Sequence, residues 1–340
     1  METLEKIKTN LARFIEKNKM ETDSFFEEAG VNKDELLDNP LAVKDVFFQF
    51  LDRFSLALPE LLDENFSPKP LAMFKKRNGQ EVSLALIDAL RDVAYFYREY
   101  RAIKYREKPR FLSFDTKDPA KIAQEIFHII DFESYRKKFS EATQKQIPYI
   151  MHDFFDNIER KIGLKIFLFE KSKNSYNFDG VYFYKPAGVA FVNALNVSFA
   201  STLFTAFHEM YHFLVDDGNV KEAVDLFDEN EYGTAAEDIN ANRFAANLLL
   251  YGADEDMLKL KFDTTLELLK EIMKKYSISK AALGIKLQED LSHFQTGHLH
   301  KGFVNPDTKF IKELIAFELE EGLISTRKAA QILEYLQLKA

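Results

Sequence analysis

Residues 208–212 read His-Glu-Met-Tyr-His. On a helix, positions four apart share one face, one turn apart. Two imidazoles at that spacing can hold one zinc ion at about 2.0–2.1 Å. Glu209, beside the first imidazole, is turned toward a water on that ion and can take its proton as general base, because zinc lowers the water's pKa toward ~7. With only 7 histidines in 340 residues, composition alone produces such a pattern with a chance on the order of one per cent.

The element that must position these groups is a helix capped by Ser198 and ending near Gly218. Phe204, Phe207, Tyr211, Phe213 and Leu214 make it apolar nearly all round, so it is expected to be buried. Two histidines and a glutamate inside such a helix need compensation, since buried charge is costly unless paired or bound to metal. A catalytic zinc site also takes a third protein ligand and leaves one position open for water. The best source is the next helix, expected from about Ala235 to Leu250. There Asp238, Ala241 and Ala245 share a face, and the small alanines allow a close approach to a neighbouring helix. The same acidic start, Glu237-Asp238, also suits an ordinary first turn favoured by the helix dipole.

Around this pair of helices the chain reads as α+β, mainly helical. Helices are expected at 119–131 and 147–161, then the period changes to two. Leu164, Ile166 and Leu168 alternate with Lys165, Phe167 and Phe169, and Gly180–Tyr184 and Val189–Asn193 follow across Lys185-Pro-Ala-Gly. This predicts two or three antiparallel strands with a hairpin. The strands over 180–193 either pair simply or present an edge to an extended peptide. Residues 1–65 read as short helices: a stripe of Leu4, Ile7, Leu11, Phe14 and Ile15, a second helix capped by Thr22 and ended by Gly30, a third from Asn32 to Pro40, and a longer one through Val43–Phe54. One long helix spans about Ser83 to Lys104. Its Arg91, Arg98, Arg101, Lys104 and Arg106 interleave with Tyr95, Phe96, Tyr97, Tyr100 and Tyr105. Such a stripe either grips nucleic acid or packs against acidic neighbours, and the second is the commoner arrangement.

Phe204-Thr-Ala-Phe-His-Glu-Met-Tyr-His, then Ala241-Asn-Arg-Phe-Ala-Ala-Asn-Leu-Leu, resembles the ImmA/IrrE family of bacterial and phage metallopeptidases. Phe178-Asp-Gly-Val upstream and Tyr276-Ser-Ile-Ser-Lys-Ala-Ala-Leu downstream fit the same pattern, and the resemblance covers roughly 120–290. It implies a zincin-like domain with a small antiparallel sheet, in which His208 and His212 bind Zn²⁺ and Glu209 activates water. In the family the third ligand is usually a Glu three residues before the Ala-Asn pair. This chain has Asp238 there, with Glu237 beside it, and Leu250-Tyr251 where Met-Pro is common. The implied activity is an HExxH-type zinc endopeptidase making regulatory cleavages in a protein partner. That partner would be a repressor, a co-encoded antitoxin or another helix-turn-helix regulator in a stress, prophage or phage-defence circuit. Alternatives are a toxin-like or sensory regulator with a non-proteolytic metal domain, and a DNA-binding transcription regulator.

Family members often carry an N-terminal helix-turn-helix of the Xre type, and residues 4–65 are similar in layout. Two features depart from it. Phe26 stands at the usually small turn-packing position, and residues 1–65 hold 15 Asp and Glu against 8 Lys and Arg, a net −7. Phosphates repel that surface, so a degenerate module that binds a protein partner or dimerises is expected before DNA binding. The implied organisation is 1–65 helix-turn-helix-like, 66–117 a basic helical linker, 118–255 the metallopeptidase domain and 256–340 a C-terminal helical region.

Composition supports this frame. The net charge of −9 argues against coating nucleic acid or acidic membrane through bulk charge. No cysteine is present, which excludes a disulfide scaffold, a thiol nucleophile and Cys-ligated zinc. The charged start Met1-Glu-Thr-Leu-Glu-Lys lacks a signal peptide's apolar core, and no apolar run approaches the ~18 residues that span a bilayer. A cytoplasmic, membrane-free protein is expected. His293, His298 and His300 read as a polar loop rather than a second metal site, His128 and His152 as ordinary helix residues, and Tyr182, Tyr184 and Tyr232 as candidate oxyanion stabilisers without motif support.

Overall fold

The computed structural model describes residues 2–54 (except 41), 60–62, 72–76, 84–105, 116–169, 178–183, 188–194, 198–215, 235–262, 265–276, 278–287 and 306–336, with positions 56, 66, 112, 114 and 338. In chain order the elements are α1 (Glu2–Lys17), α2 (Lys19–Ala29), α3 (Lys33–Asp38), α4 (Lys44–Arg53), a 3-10 turn at Glu60–Leu62, β1 (Ala72–Lys76), α5 (Leu84–Tyr105), α6 (Pro119–Ile129), α7 (Phe132–Glu141), α8 (Ile147–Ile162), β2 (Lys165–Phe169), β3 (Phe178–Phe183), β4 (Val189–Asn193), α9 (Phe199–Val215), α10 (Ala235–Leu249), α11 (Asp254–Phe262), α12 (Leu266–Tyr276), α13 (Lys280–Leu287), α14 (Thr308–Glu320) and α15 (Thr326–Tyr335).

The sheet is mixed and has four strands in the order β1-β3-β4-β2. This corrects the expected antiparallel sheet in two ways. β2 runs parallel to β4, from Lys165↔Val189 to Phe169↔Asn193, and β1 is a strand that periodicity did not reveal. Only β3–β4 and β1–β3 are antiparallel. The physical reason lies in burial. Every residue of β2 and β4 is buried, as parallel strands require, because both their faces are covered by helices.

The alternation in β2 therefore separates two cores rather than core from solvent. Leu164, Ile166 and Leu168 join Tyr182, Ala190 and Val192 in the larger core, with Phe132, Phe154, Phe199 and Phe207 of the helices on that side. Phe167, Phe169, Val181, Phe183, Val189 and Phe191 face the other way, into a core closed by α5, α14 and α15. The outer rim of β2 is closed by Asp307. Its backbone N–H donates to the Leu168 carbonyl (2.7 Å) and its carboxylate accepts from the Leu168 N–H (2.6 Å).

The N-terminal helices form a third core rich in phenylalanine: Phe14, Phe25, Phe26, Phe50 and Phe54. Phe26 fits there because its ring stacks on Phe50 at 5.7 Å. Gly30 ends α2 in the left-handed conformation (φ 64°), and the Asn32 side chain caps α3 through the Asp34 N–H. Thr22, expected as a cap, lies inside α2. That helix starts one residue after α1 ends, and the Thr22 hydroxyl donates to the Asn18 carbonyl at 2.9 Å, the back-bonding a buried Thr adopts within a helix.

The basic-aromatic stripe on α5 is packed at Arg91, Tyr97 and Arg101, whereas Tyr95 is exposed and the side chains of Lys104, Tyr105 and Arg106 lie outside the described residues. Arg91 is buried over the Phe54 ring, Tyr97 donates a hydrogen bond to Glu159, and Arg101 pairs with Glu159 at 3.1 Å. Buried Asp92 pairs with Arg53 of α4 and with Lys328 of α15 (3.0 Å), so one carboxylate joins three stretches of chain. Burial would push that carboxyl up, but Arg53, Lys328 and Arg91 outweigh it and hold it below the usual carboxylate range. No helix among the described residues is long and apolar enough to cross a membrane.

Candidate metal centre

The site is built from two helices and one strand. Ser198 starts α9 as expected, its hydroxyl oxygen accepting from the Ser201 N–H at 3.1 Å. The helix then runs beneath β3 and β4 and against α10, and its residues from Phe199 to Leu214 are buried except Ser201. His208, Glu209 and His212 are 1%, 0% and 1% exposed. Ala241 and Ala245 of α10 are fully buried, so small side chains sit in the contact between the helices, and Phe244 packs on Tyr211 at 5.5 Å.

Three ligand-type atoms converge in that contact. His208 Nε2 and His212 Nε2 are 3.2 Å apart. Asp238 Oδ1 lies 3.4 Å from the first and 3.9 Å from the second. Atoms bound tetrahedrally at 2.0–2.1 Å stand about 3.3–3.4 Å from one another, so the donor set fits one such cation. The Asp238 side chain is 41% exposed, which leaves a side of the cluster open toward solvent. Among the described residues this is the group of His, Asp and Glu side chains whose spacing suits a metal ion. The Glu237 side chain lies outside the described residues.

Asn242, one turn beyond Asp238, was not expected as part of the site. Its Oδ1 is 3.0 Å from His208 Nδ1. An amide oxygen only accepts, so this contact suits a His208 ring protonated on Nδ1, with the Nε2 lone pair toward His212 and Asp238. Outer partners of this kind fix the tautomer of a metal-binding imidazole. The spacing from Asp238 to Asn242, four residues, was readable as one helix face.

Gly180, expected at a strand start and within Phe178-Asp-Gly-Val, has a steric role in β3. A Cβ at this position would stand 2.5 Å from Glu209 Oε1 and 2.7 Å from Thr205 Cγ2. Glycine lets the strand descend onto α9, and the Glu209 carboxylate fills the space that a side chain would take.

Other candidates lie elsewhere. Tyr182 is fully buried in the larger core, its ring 6.1 Å from Phe213. His128 is 3.3 Å from the Tyr251 hydroxyl, and His152 pairs with Asp307 at 3.5 Å. Tyr184, Tyr232, His293, His298 and His300 fall outside the described residues.

Residues 163–288 match the Peptidase_M78 family model, the IrrE N-terminal-like domain. The match starts just before β2 and ends just after α13, so it contains both helices of the site and β3, while α6–α8 precede it. No curated protein and no solved structure gives a match. The family match supports the resemblance of this segment to the ImmA/IrrE family and points to a metallopeptidase-type function.

Proposed function

We propose that the chain is a zinc-dependent endopeptidase that cuts a protein partner, with His208, His212 and Asp238 as ligands. The observation that supports this most directly is the convergence of two Nε2 atoms and one carboxylate oxygen at 3.2–3.9 Å, with a buried glutamate next in sequence. When bound, zinc supplies Lewis acidity toward a peptide carbonyl and makes water easier to deprotonate. Asn242 holds His208 in the tautomer that offers Nε2. The Glu209 carboxylate takes the proton from the attacking water and passes it to the leaving amine. Gly180 keeps β3 close without displacing that carboxylate.

The finer role is regulatory cleavage of a helix-turn-helix repressor, antitoxin or similar regulator in a stress or defence circuit. This rests on the resemblance. The acidic 1–65 module serves as a site for a protein partner, since its net charge opposes DNA. Metal analysis of the purified chain is expected to give about one zinc per chain, lost in His212→Ala. Glu209→Gln is expected to keep the zinc and to lower cleavage of a trapped substrate about 10²–10⁴-fold. Unchanged cleavage in that variant would remove Glu209 from the chemistry and end this reading.

A further inference from the structure

A buried carboxylate is stable only when it is paired, protonated or bound to a cation, so one that meets no donor calls for an explanation. Glu318 of α14 is such a group. It is 1% exposed, and neither of its carboxylate oxygens has a hydrogen-bond partner among the described residues. It meets a second carboxylate, Glu99 of α5, within hydrogen-bonding reach. Two ionised carboxylates cannot bond to one another, since neither has a proton to donate. Their sequence neighbours, Tyr100 and Phe317, pack edge to face at 5.3 Å and hold the two helices at that approach. Glu321, the C-cap of α14, adds a third negative charge. The last turn of α14 carries no basic side chain, although a helix C-terminus favours cations.

The same side of α5 carries a carboxylate whose charge is answered. Asp92 and Glu99 are seven residues apart, close to two helical turns, and both meet the C-terminal helices. Asp92 receives Arg53 and Lys328. The basic neighbours of Glu99 turn elsewhere: the Arg98 guanidinium lies against Gly188, and Arg101 pairs with Glu159. Lys328 of α15 reaches Asp92 and Glu28.

We infer that Glu318 and Glu99 form a site for one hard divalent cation, Mg²⁺ or Ca²⁺, at the α5–α14 contact, with water filling the rest of its shell. The donor atoms select the class of ion: carboxylate oxygens suit Mg²⁺ and Ca²⁺, whereas imidazole nitrogens suit zinc. Mg²⁺ in particular is held by one or two carboxylates and keeps several waters. Glu318 supplies the buried end of the site, and the partly exposed Glu99 supplies the side open to water. A bound ion cancels the repulsion across the contact and ties the end of α14 to the helix that backs the sheet. The competing occupant is a proton shared by the pair. Burial, then the Glu99 carboxylate, favours it by raising the Glu318 pKa to about 8. The site lies apart from His208, His212 and Asp238, and the inference does not rest on the peptidase reading.

The test uses the full zinc-loaded chain, with MgCl₂ or CaCl₂ titrated to about 10 mM at constant ionic strength, a range that covers weak oxygen-ligand sites. Calorimetry is expected to show about one ion per chain, with a Kd of about 10⁻³ M or tighter. The thermal midpoint is expected to rise by about 2 °C or more at saturation. Glu318→Gln and the partly exposed Glu99→Gln are expected to bind the ion at least tenfold more weakly, with zinc content unchanged, and the second keeps the test available if the first does not fold. Glu99→Lys places a cation beside Glu318. It is expected to melt, without divalent cation, at least as high as the parent does with it, and to gain nothing from either salt. Absence of binding and of a midpoint shift with both salts in the parent would overturn the inference and leave the shared proton as the occupant. An undiminished response in the glutamine variants would also overturn it, by placing the ion elsewhere.

Discussion

The two faces of the sheet bury charge in opposite ways. Toward α5, α14 and α15 the buried groups are matched: Asp92 with Arg53 and Lys328, and Lys165 with Glu159 and Asp156 at 3.3 Å each. Burial pulls the Lys165 ammonium down, but Glu159, Asp156 and Asp307 outweigh it and raise it above its ordinary value. Toward α9 and α10, two imidazole nitrogens and a carboxylate oxygen converge, and Asn242 stands behind the His208 ring. Matched charges complete one another and serve the fold. Ligand-type atoms gathered at one point suit a cation, and in that respect the two faces differ.

Four substitutions can break or sharpen this contrast. The largest effect is expected from Asp92→Ala, which leaves Arg53 and Lys328 facing a buried gap. Loss of one member of a buried pair costs about 3–5 kcal/mol, to be measured by denaturant unfolding, while the metal content of the folded fraction should not change. Asn242→Ala should leave stability nearly intact but weaken zinc binding about 10–100-fold, as measured by competition with a chelator. An equal loss of stability and affinity would blur the two faces. Gly180→Ala should cost about 1–3 kcal/mol, because the new Cβ meets buried Thr205 as well as the Glu209 carboxylate. Cleavage should nevertheless fall about tenfold or more, since displacement of a catalytic group by a fraction of an ångström is felt in rate, and zinc should stay bound.

The smallest effect concerns the exception on the matched face. Glu318 lies beside Glu99, and burial, then the neighbouring Glu99 carboxylate, pushes its pKa up to about 8. An acid whose folded pKa lies above its unfolded value binds more protons in the native state. Stability therefore falls as pH rises from about 4.5 to about 8. Glu318→Gln should flatten that fall in thermal melts across pH 5–9, and an identical pH profile in both proteins would exclude Glu318 as its source.

Legibility followed sequence distance. The Ser198 cap, the His208–His212 spacing and the Asp238–Ala241–Ala245 face were readable because caps and helical faces are decided within a few residues. The structure brings those three polar side chains together. The Gly30 terminus and the helix start near Asn32 were readable for the same reason. What escaped was set by partners far away. β1 is five residues whose pairing partner lies about a hundred positions on, and the parallel β2–β4 pairing has no local hairpin to announce it. Thr22 looked like a cap because its residue type suits both a helix start and back-bonding to a carbonyl one turn earlier. The short helix α7, between Asp131 and Ala142, went unread because its apolar stripe is sparse and strongly charged.

Asp307 does two jobs at once: it begins α14 and saturates the main chain of Leu168. A bare strand edge is a template for pairing with other copies of itself. Loss of α14 and α15, about the last tenth of the chain, would therefore uncover β2 at Leu168 and is expected to favour self-association.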